Sequence, residues 1–342
     1  MKLRIDTESR MPIYKQLIEG FENSVRSGEA NPGDMLPSMN ELAYREGISK
    51  ETVKKAYAIL RDRGLIEARQ GKGFYVAQDN ERHKLKVLVL FDKLSSYKQI
   101  TFNRMLADIG DRAELTIRLH NQSVELLEYY LDESLDMYDY YVVSPHFALD
   151  AKTQKKAEKL LRRIPNRKFI MVDHWMRDIQ GNYGAVYQDF SLDTYDCLAE
   201  NIDRVREYSR LNVISLPSSL YQTYIQKSIL NFCRNYDINV EFHSGITPEI
   251  TRKNELYLLL NSQLESALID IAHISAEKGF EIGKDIGVIS YNESPINEIV
   301  LGGLTTLSTD FDQMGAHAAR MILENRLIKI KCDFRLTSRT TF

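Results

Sequence analysis

Residues 34 to 76, DMLPSMNELAYREGISKETVKKAYAILRDRGLIEARQGKGFYV, constrain the fold more than any other stretch. Leu42 and Ala43 give a first short helix an apolar side, and Ser38 stands before it as an N-cap with Glu41 at the capping-box position. Gly47-Ile48-Ser49 makes a turn, and Ser49 is placed to cap a second helix, its hydroxyl accepting an orphan backbone N–H. Val53, Ala56, Tyr57 and Leu60 recur at helical spacing as that helix's buried stripe, with Lys50, Lys54 and Lys55 mainly off it. Gly64 stops the helix. Leu65 and Ile66 open a strand, Gly71-Lys72-Gly73 is a tight turn, and Phe74-Tyr75-Val76 returns. Helix, turn, helix and a basic-tipped hairpin predict a winged helix-turn-helix, whose second helix fits a DNA major groove while the wing reaches the flanking backbone.

Charge supports that reading. The whole chain of 342 residues carries a formal net charge of −3. From Lys50 to Lys72, however, seven basic residues face three acidic ones, and local clustering matters more for phosphate binding than overall charge. Before this unit, Pro12 favours a helix start, and Ile13, Leu17, Phe21 and Val25 mark a helical stripe.

From Pro12 to Val76 the sequence resembles the GntR family of bacterial transcription regulators. The P-G-D-x-L-P-S segment, the E-L-A, the Ser-x-x-T-V-x-x-A helix and the G-L-I wing with Gly-x-Gly at its tip occur here in order. Asn40 stands where the family often has a DNA-contacting arginine, and Lys50 and Lys54 replace arginines. Lysine binds phosphate but lacks the planar fork that reads guanine, so the operator differs from those of better-known relatives. The resemblance implies groove and phosphate contacts at Ser38, Asn40, Ser49, Lys50, Thr52, Lys54 and Lys55, and wing-tip contacts at Gln70, Gly71 and Lys72.

Residues 78–84 are polar and aperiodic, a linker. Beyond them strand and helix patterns alternate. Strands are expected at 84–92, 115–119, 139–145, 167–173, 211–217, 255–261 and 285–293, with INVEFH (238–243) as a further one. Helices are expected near 101–113, 124–134, 152–163, 192–208, 221–236 and 262–278. This alternation argues an α/β domain with parallel sheets, in two lobes with a cleft at the strand C-terminal ends. The expected division is a head at 1–77, a linker at 78–84 and a body at 85–342.

Residues 84–342 also look like the effector domain of LacI/GalR repressors, which is similar to periplasmic sugar-binding proteins. GFEIGKDIGVISYNE (279–293) and LTTLSTDFDQMGAHAARMIL (304–323) carry the resemblance, with FIMVDHW (169–175) and YQDF (187–190) in supporting positions. A GntR head on a LacI-like body is the arabinose-regulator type of architecture. It implies three crossings between lobes, expected near 187, 294 and 325, so that the first lobe holds about 85–187 and 294–325 and the second about 188–293 and 326–342.

Sugars are held by hydrogen-bond forks and an aromatic platform. Strand ends facing the cleft supply Phe91, Asp92, Ser95 and Tyr97, then Ser144 and His146, then Asp173, His174 and Trp175. Gln188 and Asp189 lie at the first crossing, Ser218 and Tyr221 after the strand at 211–217, and Asn261, Asn292 and Glu293 on late strands. Trp175, the sole tryptophan, is the expected platform, and Asp189 matches a ligand-binding aspartate of the family. Asn261-Ser262 replaces a frequent Asn-Asp, Asn292 replaces a sugar-gripping Asp, and the arginine usual near 225 is missing. Those losses favour a neutral sugar, a pentose or 6-deoxyhexose such as arabinose or fucose.

Enzyme patterns fit poorly. The seven histidines show no metal spacing, no Gly-x-Ser-x-Gly occurs, and Gly71-Lys72-Gly73 lacks the features of a phosphate loop. Cys197, Cys233 and Cys332 form neither a disulfide framework nor a zinc pattern, which fits a reducing interior. No signal-peptide h-region or membrane-length apolar run is present, so a cytoplasmic protein without cofactor, metal or membrane partner is expected. The expected protein is a homodimeric, sugar-released repressor of carbohydrate genes that sets paired second helices in successive major grooves of a near-palindromic operator. An activator, or a sugar-binding protein with a vestigial DNA head, are the alternatives.

Overall fold

The computed structural model describes residues 5–6, 9, 11–62, 64–77, 84–215, 220, 222–260 and 265–342. The chain divides into two compact units, Met1–Leu85 and Lys86–Phe342.

The first unit contains α1 (Ile13–Arg26), α2 (Met39–Glu46), α3 (Lys50–Asp62), β1 (Ile66–Arg69) and β2 (Gly73–Val76). Pro12 caps α1, and Leu17, Ile18 and Phe21 form its buried face. Ser38 Oγ accepts the Glu41 N–H at 3.2 Å at the start of α2. Gly47 ends α2 in the left-handed region at φ 66°, the conformation glycine adopts without steric cost. Val53, Ala56, Tyr57 and Leu60 of α3 are all at most 2% exposed, so the helical stripe is the core of the unit. The Tyr57 hydroxyl donates to the Pro37 carbonyl at 2.8 Å, and its ring meets Phe74 edge-on at 5.0 Å. Strands β1 and β2 pair antiparallel from Ile66↔Val76 to Arg69↔Gly73. The segment before α2 joins them, since Leu36 N–H donates to Phe74 O and Val76 N–H to Asp34 O.

The second unit is a two-lobe α/β body. Its elements run β3 (Leu85–Phe91), α4 (Ser96–Ile109), β4 (Ala113–Leu119), α5 (Val124–Ser134), β5 (Tyr140–Val143), α6 (Ala151–Leu161), β6 (Phe169–Asp173) and β7 (Gly184–Tyr187). Then come α7 (Asp193–Glu200), α8 (Ile202–Val205), β8 (Arg210–Ile214), α9 (Gln222–Tyr236), β9 (Val240–His243), β10 (Glu255–Leu259), α10 (Glu265–Lys278) and β11 (Gly287–Tyr291). The chain closes with β12 (Thr305–Thr309), α11 (Phe311–Glu324), β13 (Lys329–Lys331) and β14 (Phe334–Thr337). One sheet has the order β4-β3-β5-β6-β7-β13 and the other β9-β8-β10-β11-β12-β14. Both share the strand order of an open doubly wound sheet, which opens a crevice where the winding reverses, between β3 and β5 and between β8 and β10. The central strands β5, β6, β10 and β11 are buried throughout, as strands covered on both faces must be.

The chain crosses between lobes after β7, after β12 and after β13. The first crossing falls near the expected 187. The second lies at 309–311 rather than 294, because β12 pairs with β11 and completes the second sheet before the chain returns. The third lies between β13 and β14 rather than at 325, because β13 first pairs with β7. Helix α11 therefore belongs to the first lobe, packed on α4. Gly315 permits that approach, since a Cβ there would stand 2.4 Å from the Thr101 carbonyl. Other expectations also shift. The expected helix 101–113 starts at Ser96, the expected helix 192–208 breaks at Asn201, and β14 runs antiparallel to β12.

Candidate functional site

On the first unit, Ser38, Asn40, Ser49, Lys50, Lys54, Lys55, Gln70, Gly71 and Lys72 are exposed, and Thr52 is half-buried. Ser49 Oγ accepts the Thr52 N–H at 3.1 Å and meets the Thr52 hydroxyl at 2.7 Å, so the start of α3 is pinned by the two side chains expected at DNA. Lys54 lies 3.5 Å from Glu51 on the same exposed face, a weak pair that leaves the ammonium available to phosphate. Lys55 instead caps the Tyr14 ring at 4.0 Å. Gly71 at φ 70° and Gly73 at φ 106° let the wing turn put Lys72 at its tip. Tyr44, which the sequence reading passed over, is 92% exposed on α2. Apolar spacing alone gave no reason to separate it from the core.

In the body, Asp92, Ser144, His146, Asp173 and Gln188 come together at the C-terminal ends of the first sheet, all at most 7% exposed. At their centre is Lys98, 2% exposed and absent from the expected set. It stands in the first turn of α4, and its ammonium donates to Asp92 Oδ1 and to Ser144 Oγ, the latter at 2.9 Å. Asp173 Oδ2 lies 3.4 Å from the same ammonium and 2.8 Å from His146 Nε2. Gln188 donates to Asp173 Oδ1 and accepts from the Thr309 hydroxyl at 2.9 Å. That last bond joins the first crossing to the second. Phe91, Thr101, Val172, Phe311 and Met314 wall the Lys98 side.

Burial and charge set the protonation of this cluster. Burial pulls the Lys98 ammonium down to about 8 against the attraction of Asp173. Burial acts to raise Asp173, but His146 and Lys98 outweigh it and hold the carboxyl well below its usual range. Burial, then the neighbouring Lys98, lowers His146. Burial also takes His174 down to about 3 and His120 to about 4. Asp173 has φ 73°, and Asn292, at the corresponding strand end of the second lobe, has the same value. Left-handed backbone at two non-glycine residues is the kind of strain that recurs at ligand sites.

The other expected ligand residues scatter. Ser95 stands at the N-cap position of α4 without a side-chain cap bond, and Tyr97 packs tilted on Phe311 at 4.7 Å, both beside the cluster. His174 lies 6.1 Å from both His146 and Phe190. The structure does not bring Trp175 there. Its indole N–H donates to the Tyr183 hydroxyl at 3.0 Å, and the ring packs on Tyr187 at 4.8 Å at the edge of the first-lobe core. Asp189 is held by Arg177 at 2.8 Å and by Ser191. Glu293 is engaged by Arg339 at 3.0 Å and by the Thr306 hydroxyl within the second lobe. Ser218, Tyr221 and Asn261 lie outside the described residues. Among the described residues, no group of three His, Cys, Asp or Glu is placed to hold a metal, and no helix is long and apolar enough to cross a membrane.

A winged-helix head and a two-lobe body with a doubly wound sheet in each lobe define a two-part architecture. Comparison with known proteins gives the same two parts. The family model for bacterial regulatory proteins, gntR family, matches residues 13–76, and that for the periplasmic binding protein-like domain matches residues 262–327. The chain thus carries a gntR-family helix-turn-helix domain and a periplasmic-binding-protein-like domain. The HTH-type transcriptional repressor YtrA of Bacillus subtilis is 39% identical over 77 residues, 22% of this chain and 59% of that protein. NagR, another HTH-type transcriptional repressor of Bacillus subtilis, is 31% identical over 106 residues, 31% of this chain and 44% of its own. The chain therefore spans about half the length of these curated relatives. Among solved structures, a LacI family transcriptional regulator from Lactobacillus casei with bound glucose superimposes at TM-score 0.57, with 13% identity over 75% of this chain and 99% of that one. A dimeric Lac repressor superimposes at 0.59, with 14% identity over 75% and 98%. At such identities the likeness is one of fold.

Proposed function

We propose that this protein is a DNA-binding transcription regulator, a repressor, whose head holds operator DNA and whose body takes a small carbohydrate between its lobes. The exposed basic face of α3, with Ser49 and Thr52 fixed at its start, carries the proposal. It presents a helix of groove-filling size with lysines free of the core, next to a wing tipped by Lys72. Support for repression comes from the relatives named as repressors, and support for a sugar from the neighbour titled with bound glucose. Groove and phosphate contacts are assigned to Ser38, Asn40, Ser49, Lys50, Thr52, Lys54 and Lys55, with Gln70, Gly71 and Lys72 at the wing. A homodimer would set two such helices one DNA turn apart. Ligand entry between the lobes would lower operator affinity, and such coupling is typically about 1–3 kcal/mol.

The test is anisotropy of a labelled duplex with the full chain, repeated with a panel of monosaccharides. A sugar that weakens DNA binding supports a repressor, and one that strengthens it reverses the sign to the alternative reading of an activator. DNA affinity that no sequence change or added salt alters would contradict the reading as a whole.

A further inference from the structure

The crevice of the first lobe lies where the winding reverses, between β3 and β5, at the C-terminal ends of the strands. Asp92 is the residue just past β3 and Ser144 the residue just past β5, so the two mark its edges. Lys98 is bonded to both. Its ammonium therefore stands in the gap itself, and it also reaches the end of β6, 3.4 Å from Asp173 Oδ2. Asp173 is held in turn by Gln188 on Oδ1 and by His146, 2.8 Å away, on Oδ2. The walls of Phe91, Thr101, Val172, Phe311 and Met314 leave no room for even a water-sized group beside the ammonium. The second lobe is built differently at the matching place. There α9 follows β8 as α4 follows β3, and its Gln222 and Gln226 both donate to Ser215 Oγ, at 2.5 and 2.9 Å. Both glutamines are half-buried and neutral, and a ligand hydroxyl can exchange one such bond for another.

We infer that Lys98 is a tethered occupant of the first-lobe crevice, an autoinhibitory contact that closes this lobe to small ligands and leaves the second lobe to grip them. The inference rests on the regulator reading above and deepens it by assigning the effector to one wall of the cleft. Expelling the ammonium would deprive two buried carboxylates, Asp92 and Asp173, of a cation they share, and breaking one side of a buried ion pair is costly. A neutral sugar brings no charge to replace it. The tether also favours the occupant, because the first turn of α4 delivers it at an effective concentration that a free ligand does not match.

Lys98→Ala removes everything beyond Cβ and opens a slot of the length of propylammonium. The experiment is calorimetry and thermal shift of the full chain, natural and Lys98→Ala, with propylammonium chloride, 1-propanol and sodium propionate, all at equal ionic strength set with sodium chloride. In the variant, propylammonium should bind saturably and raise the melting temperature. It should bind roughly ten-fold or more tightly than propanol, the worth of one charge-assisted hydrogen bond, and propionate should not bind. The natural chain should take none of the three. Propylammonium bound by the natural chain overturns the occupant, as does a folded variant that does not bind it or binds propanol equally well. If Lys98→Ala does not fold, the natural chain decides through acetic anhydride labelling and peptide mass mapping. Lys98 should stay unmodified while the exposed Lys54 and Lys72 react, with or without each monosaccharide of the duplex panel. Lys98 labelled as fast as those two, or labelled once a sugar is added, overturns the occupant. Duplex binding by the same preparation separates the two claims. DNA binding without amine rescue removes only the occupant, and amine rescue without DNA binding removes only the regulator.

Discussion

Removing the Lys98 ammonium would leave Asp92 and Asp173 facing each other with no cation between them. Breaking one side of a buried ion pair typically costs about 3–5 kcal/mol, so Lys98→Met should lower stability by that order in a urea melt. Adding Asp92→Asn to it should recover part of the loss, and a single variant of unchanged stability would contradict the pairing. His120 gives a pH test. It is fully buried, its Nε2 meets the Ser144 carbonyl at 3.0 Å, and its pKa falls to about 4 from the ordinary 6.5. Between those values the unfolded chain binds the proton and the folded one does not, so stability is full above 6.5 and falls as pH drops towards 4. The slope is about 1.4 kcal/mol per pH unit for such a group, and His120→Phe should remove its share from melting curves recorded across that window. Five residues of the cluster were legible because ligands meet strand C-termini. Lys98 was not, because a lysine reads as a solvent residue, and the start of α4 at Ser96, five residues before the pattern suggested, is what turns it inward.

At the scale of elements, the head follows its sequence closely because each signal there is local. Ser38 and Ser49 cap, Gly47 turns, and the apolar stripe of α3 is buried as spaced. Ser49→Ala should cost about 1 kcal/mol by loosening the first turn of α3, read from thermal melts of the full chain. Lys72→Ala and Lys54→Ala should each weaken duplex binding and make the plot of log affinity against log salt shallower by about 1, the signature of one lost phosphate contact. A slope that does not move would take that lysine off the DNA. In the body the local signals thin out. Strand β7, Gly184–Tyr187, is only four residues long with a glycine and an alanine, and it was missed. Its pairing with β6 and β13, not its composition, makes it a strand. Trp175 shows the same limit, since the end of a strand does not say which way its side chain turns.

At the scale of the molecule, the two lobes meet through their crossings, and the Thr309–Gln188 bond ties two of these to the Asp173–Lys98 cluster. Thr309→Val should uncouple them. It leaves the Gln188 amide oxygen without its donor, so stability falls by about 1–3 kcal/mol, and the response of DNA affinity to ligand should shrink. An unchanged response would mean that the crossings communicate by another route. The lobe boundaries were less legible than the lobes because a crossing leaves no mark in composition. Only the pairing of β12 with β11 and of β13 with β7 shows where the chain changes sheet. The central claim is that the head reads a DNA sequence. Selection of duplexes from a random pool by the full chain tests it most directly. The account predicts a recurring near-palindromic sequence, bound more tightly than a scrambled duplex and lost in Lys54→Ala with Lys72→Ala. A pool that emerges without an enriched sequence would contradict it.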